Sequence, residues 1–152
     1  MTIKFTVFGE PTAKGRPRFA RRGKFMAAYT PKETLNAEND FKLQSLKYKP
    51  AVPTELPLKV EIIVFRSIPK SWSRKRQEKA VTNEIRPITK PDCDNFGKLV
   101  LDAMNGIFFR DDSQVVTLNI EKYYSREPRI EVLIIELTSP AQDVSTEVKD
   151  GV

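Results

Sequence analysis

Residues Lys90–Val115, KPDCDNFGKLVLDAMNGIFFRDDSQV, govern how the whole chain is read. Within them Phe96, Leu99, Val100, Ala103 and Met104 follow the spacing of one buried helical face. Asn95, Lys98, Asp102 and Asn105 fall on the polar face, and Asp94 stands one turn ahead of Lys98. Asn105-Gly106 is a helix stop. Asp92 and Asp94 therefore lie at the helix entry, and Asp111-Asp112 lie past its exit, before the apolar run Val115–Ile120. If the chain doubles back at that turn, two acidic pairs meet.

Crowded carboxylates repel one another, and a divalent cation is a common compensation. Oxygen-only donors select a hard ion, Mg2+ or alternatively Mn2+, which keeps several waters and meets its remaining charge on substrate phosphate. Such an ion lowers the pKa of a water and stabilises charge on a phosphoryl oxygen, so hydrolysis needs no histidine, and this sequence has none. Each feature also has a purely structural explanation. Asp is a favoured N-cap and complements the helix dipole, and Asp-Asp-Ser is ordinary turn chemistry. Asp102 can pair with Lys98 at i, i+4. Cys93 reads as a small packed residue, because its soft sulfur suits zinc and no histidine or second cysteine could complete such a site. Spacing alone leaves both explanations open.

Outward from this stretch, 152 residues with 39% hydrophobic and 30% charged content fit one small domain, residues 1–138, with a modest core. No apolar stretch approaches a membrane span and Met1–Glu10 lacks a signal-peptide core, so a cytoplasmic protein without membrane contact is expected. A single cysteine forms no internal disulfide, in keeping with a reducing compartment. Ile3, Phe5 and Val7 alternate as a strand, followed by a basic arm, Lys14, Arg16, Arg18, Arg21, Arg22 and Lys24, broken by Gly15, Pro17 and Gly23. A basic run alone is ordinary solvated loop. Beside an acidic metal site it fits a polyanion that must be held against like charge, and phosphate contacts of this kind do not read bases. Thr30-Pro31-Lys32-Glu33 forms a capping box that starts a helix reaching about Tyr48. Leu58, Val60, Ile62 and Val64 alternate as a second strand, whose far end, with Ile63 and Phe65, is apolar on both faces and therefore central.

Ser71-Trp72-Ser73 opens a short helix with Arg74, Lys75 and Arg76 at its start, where cations oppose the helix dipole and so hint at a DNA-facing role. Trp72 reads as a packing anchor. Val81–Ile88 reads as a loop that carries Arg86, Lys90 and Asp92 toward the acidic stretch. Two further alternating runs, Val116–Glu121 and Ile130–Ile135, are expected to pair as a C-terminal β-hairpin through Ser125–Pro128. Residues 139–152 lose periodicity and read as a disordered tail. The sum is an α/β domain with a mixed β-sheet packed by helices.

The motif Asp92-Cys93-Asp94-Asn95, then Lys98, then Asp102-Ala103-Met104-Asn105-Gly106, then Asp111-Asp112-Ser113-Gln114-Val115 resembles the signature of the RusA-type Holliday junction resolvases. Gly9-Glu10-Pro11 with Lys14-Gly15-Arg16-Pro17-Arg18, Tyr29-Thr30-Pro31, and Ile68–Ser73 resemble further segments of that family in the same order. Met104 stands where leucine is usual, a volume-conserving change. The resemblance implies a RusA-like homodimer of bacterial or phage origin that nicks branched DNA, the Holliday junction, symmetrically with Mg2+. Position by position it implies metal-binding acids at Asp92, Asp94 and Asp112 and a catalytic lysine at Lys98. Asp111 and Asn95 are further candidates. The DNA contacts read from the basic segments are Lys14, Arg16, Arg18, Arg74, Lys75, Arg76 and Lys90. The rival functions are a DNA-binding module without catalysis and a metal-dependent nucleotide phosphohydrolase. The latter lacks a Walker-type glycine loop here.

Overall fold

A computed structural model describes residues 1–13, 18–29 and 32–137. Lys14, Arg16, the expected cap at Thr30-Pro31 and the expected tail 139–152 lie outside the described residues. Among these, the elements run β1 (Thr2–Phe8), β2 (Arg18–Arg22), β3 (Phe25–Tyr29), α1 (Lys32–Ser45) with a 3-10 turn at Leu46–Tyr48, β4 (Leu58–Ser67), α2 (Arg74–Val81), α3 (Cys93–Met104), a 3-10 turn at Asp112–Gln114, β5 (Val115–Ser125) and β6 (Arg129–Glu136).

Four strands form one mixed sheet in the order β1-β6-β4-β5, and β2 and β3 pair separately as an antiparallel hairpin. β4 runs parallel to β5 and antiparallel to β6. Parallel neighbours need a crossover connection, and here the segment holding α2 and α3 supplies it. Leu58, Val60, Ile62 and Val64 of β4 are fully buried, and Phe5, Val7, Ile130, Val132 and Ile134 join them on the same face. α1 adds Phe41, edge-on to Phe5 at 6.0 Å between ring centres, while the Gln44 side chain bonds both the N–H and the carbonyl of Phe8 at the end of β1. The expected central position of β4 holds.

The expected C-terminal β-hairpin does not. β5 and β6 both exist, but β4 lies between them and they do not pair. Their composition explains the difference. β6 carries Ile130, Val132 and Ile134 into the core and keeps Leu133 and Ile135 half-buried, which suits a strand with neighbours on both sides. β5 alternates apolar and polar residues, leaves Val116 and Leu118 exposed, and takes the sheet edge. Arg126–Pro128 therefore crosses the end of β4 instead of making a tight turn.

α3 seats its apolar face, Phe96, Leu99, Val100, Ala103 and Met104, in the core, as its periodicity predicts. Gly97 lets it approach β5. A Cβ at that position would stand 2.6 Å from Ile120 Cδ1 and 3.9 Å from Leu118 Cδ2. A Gly97→Val substitution is expected to push the helix off the strand and destabilise the fold by about 1–3 kcal/mol, the usual cost of overpacking. Urea unfolding measures this, and unchanged stability would show that α3 does not rest on β5 so closely.

Candidate active site

The N-cap of α3 is Asp92, in extended backbone, and its side chain makes no capping hydrogen bond. Its carbonyl begins the helix by accepting from Phe96 N–H at 3.3 Å. The structural explanation for an aspartate here, a carboxylate satisfying the helix amides, therefore does not apply to Asp92. Asp94 sits in the first turn, where a negative charge complements the dipole. The helix ends at Asn105, and Gly106 follows at φ +79, a left-handed conformation that a side chain would strain.

The return of the chain depends on two phenylalanines. Phe108 and Phe109 are buried, with Phe108 stacked 5.3 Å from Phe5. Backbone bonds then stitch this segment to the entry of β4: Thr54 N–H donates to Phe108 carbonyl at 3.2 Å, and Arg110 N–H to Thr54 carbonyl at 3.2 Å. Gln114 completes the turn, since its amide donates to the carbonyls of Thr54 and Leu56 at 2.9 and 3.0 Å. Its oxygen accepts from Asp111 N–H at 2.9 Å. In the sequence Gln114 has no role beyond its motif, and none is assigned to Phe108 or Phe109.

Asp111 has a structural task in this turn. Its carboxylate accepts from Ser113 N–H at 3.0 Å and forms a capping box with Gln114. Hydrogen bonds from the Ser113 side chain and then its backbone hold the carboxyl below the usual aspartate value of 3.8. Since the folded-state pKa is the lower one, this cap supports the turn fully above the ordinary aspartate range and is lost as pH falls through the depressed value. Asp112, its neighbour, faces elsewhere.

Asp112 lines an open cleft of about 560 Å3 between α3 and β5, together with Asp94, Lys98, Asp102 and Asn119. Leu118 and Ile120 also line it. The structure thus brings Asp94, Lys98 and Asp112 to one cleft. Asp92 adjoins this cleft at the head of α3, and Asn95 is half-buried outside its lining. Among the described residues no three acidic or sulfur-bearing groups meet closely enough to hold an ion as they stand. The helix direction accounts for that. Gly97 lies over Ile120 and the segment before Asp92 is bonded to Lys122, so α3 runs antiparallel to β5. The Asp94 end of the helix lies toward the middle of β5 and the Asp102 end toward its start, about 12 Å apart along the axis at 1.5 Å per residue.

The cations divide by role. Arg74 borders a second cleft, of about 710 Å3, with Lys70 and Arg126 where α2 meets the end of β5. Lys75 and Lys90 are exposed. Arg76 instead stacks on Trp72, 3.9 Å from the ring centre, and Trp72 packs edge-on to Tyr124 at 5.2 Å, which makes the tryptophan the anchor its sequence position suggested. α2 is capped by Ser73, whose hydroxyl accepts from Arg76 N–H at 3.3 Å, and closes with Asn83 at φ 66 while Glu84 N–H reaches back to Lys79 carbonyl at 2.9 Å. That closing pattern is a Schellman motif. The backbone of Arg18 pairs with Tyr29 in the hairpin.

No helix among the described residues is long and apolar enough to cross a membrane. Over 139 residues the chain is 42% identical to the uncharacterized protein YqaN of Bacillus subtilis (strain 168), a match covering 90% of this chain and 98% of that protein. The model of a family described as endodeoxyribonuclease RusA matches residues 9–135, a span that begins just after β1 and includes the hairpin, both sides of the acidic cleft and nearly all of β6. A cleft built from the helix and turn that carry the family's acidic motif, inside a match of that extent, settles the kinship: this chain belongs to the RusA endodeoxyribonuclease family.

Proposed function

We propose that the protein is a Mg2+-dependent endonuclease that resolves four-way DNA junctions by paired symmetric nicks, working as a homodimer in DNA recombination and repair. The observation that carries this reading is the meeting of Asp94, Lys98 and Asp112 on one cleft from separate stretches of chain. The donors there fit a hard cation. Asp94, Asp112 and Asn119 offer oxygen acceptors in a cleft roomy enough for waters and a phosphate, and Mg2+ is commonly held by one or two carboxylates with substrate phosphate completing its shell. Bound Mg2+ supplies Lewis acidity at a phosphoryl oxygen and lowers the pKa of a nearby water; Mn2+ offers the same chemistry. Asp94 and Asp112 on the cleft, with Asp92 at the head of α3, are the residues that would hold the ion, although among the described residues no three of the acids form a ready-made cluster. Lys98 adds a fixed positive charge where negative charge grows in the transition state.

A net charge of +6 despite this acidic cleft leaves a surplus of cations to hold the polyanion. Two nicks in opposed strands need two clefts related by a two-fold axis, which a homodimer provides. The edge strand β5, with Val116 62% and Leu118 44% exposed beside the cleft, is the surface on which a second copy would dock.

On an immobile synthetic junction, Asp94→Asn and Asp112→Asn are each expected to lower Mg2+-dependent nicking by at least about a hundredfold, the scale of losing one transition-state contact. Junction binding in EDTA should persist, and undiminished cleavage by either variant would remove that residue from the mechanism. Asp111→Ala should lose the turn cap and retain nicking, because the Asp111 carboxylate is engaged with Ser113. Arg74→Ala and Lys75→Ala are expected to weaken binding on all sequences alike and to flatten the salt dependence of binding by about one unit of slope each. Arg76→Ala, which strips the tryptophan of its stacked cation, should lower thermal stability more than it changes that slope. Wild-type slopes for both Arg74→Ala and Lys75→Ala would exclude α2 from the DNA contact.

A further inference from the structure

Three consecutive main-chain carbonyls just ahead of Asp92 are gripped by cations from the sheet. Lys122 Nζ donates to Thr89 carbonyl at 2.9 Å and to Pro91 carbonyl at 3.0 Å. Arg66 Nη1 donates to the carbonyl between them, Lys90, at 2.8 Å. Loop carbonyls ordinarily face water. Here each is met by a charge-assisted bond, the stronger kind, from a strand inside the sheet and from its edge neighbour. Lys122 is half-buried, and its own carbonyl accepts from Arg86 Nε at 3.0 Å while the Arg86 guanidinium lies 4.0 Å over the Tyr123 ring. Arg66 is steered from the other side by Glu10, whose carboxylate lies 3.8 Å from its buried Nε and accepts from Ser67 N–H at 3.3 Å. Lys122 and Ile120 are two apart on β5, so the same strand face that seats α3 under Gly97 also holds the loop that leads into it.

We propose that Lys122, assisted by Arg66, is a positioning residue for the metal-binding end of α3: it fixes the Thr89–Pro91 backbone and thereby the place from which Asp92 and Asp94 present their carboxylates. This rests on the hydrolytic reading above. The acids are exposed, and among the described residues no closed cage of protein ligands surrounds them, so their placement depends on the backbone beneath them. Lys122 also puts a positive charge within one residue of Asp92, which offsets repulsion among the carboxylates without occupying a ligand position. Outer groups that orient ligands in this way typically alter metal affinity by about 10–100-fold when removed.

The test compares wild type with Lys122→Met and Lys122→Arg by Mn2+ binding to the DNA-free protein, followed by electron paramagnetic resonance. Thiol labelling of Cys93, the chain's one cysteine and a half-buried residue on the cleft, reports the loop independently. Lys122→Met is expected to weaken Mn2+ binding about tenfold, to label Cys93 severalfold faster, and to bind junctions in EDTA like wild type. Lys122→Arg, which keeps a cationic donor, should recover most of the metal affinity. Arg66→Gln, which removes the middle bond and the contact with Glu10 but leaves both Lys122 bonds, is expected to show a smaller loss and serves if Lys122→Met does not fold. Wild-type Mn2+ affinity in folded Lys122→Met or Arg66→Gln would overturn the inference, even if labelling accelerates. A wild-type protein that binds no Mn2+ would instead bring down the hydrolytic reading itself.

Discussion

The absence of one side chain, at Gly97, sets the distance on which the rest of this molecule depends. A helix laid on a sheet normally stands off by the bulk of the residues between them. Here Ile120 Cδ1 occupies the space where a Cβ would be, so α3 lies close against the edge of the sheet. The helix's polar strip and the edge strand then face each other across an open cleft.

One face of β5 organises that cleft along its length. Leu118 and Ile120 line its floor, Lys122 catches the loop before α3, and Tyr124 receives Trp72 from the start of α2. These residues alternate on the strand, as side chains on one sheet face must. The crossover from β4 to β5 is therefore pinned at its beginning, middle and end by a single strand. An edge strand can do this because its outer side is not committed to another neighbour in the sheet. Lys98 lines the same cleft as these acids, and the Lys122 ammonium holds the loop just ahead of Asp92. A hard divalent ion and a phosphate backbone are complementary to that arrangement in charge and in donor type.

Much of this was legible before any coordinates. The apolar spacing of Phe96–Met104 fixed the extent of α3, and Asn105-Gly106 marked its end, because helix periodicity and left-handed turns are local properties. Reading Asp111-Asp112 as a turn back toward the helix anticipated that Asp94, Lys98 and Asp112 line one cleft, but not that Asp92 and Asp111 stay outside its lining and that, among the described residues, no three acids cluster. What failed was pairing. Ser125–Pro128 looks like a hairpin turn, yet β4, distant in sequence, inserts between the two strands it joins. Register and neighbour choice are set by which strand carries more apolar surface to bury, and only the assembled sheet compares β5 with β6 in that respect. The division of labour between Asp111 and Asp112 was equally hidden, since it turns on which carboxylate the Ser113 amide reaches. Lys122 gave no signal at all: a lysine in an alternating strand is ordinary, and only the fold puts two loop carbonyls within 3.0 Å of its ammonium.

The central claim is that the gap between α3 and β5 is where a divalent ion and a scissile phosphate sit. Crystals of the protein soaked in Mn2+ and measured at a wavelength where manganese scatters anomalously address it directly. The account predicts an anomalous peak in the cleft, bonded to carboxylate oxygen of Asp94 or Asp112. A protein that nicks junctions in Mn2+ while its crystals show the ion bound elsewhere, with this cleft empty, would contradict it.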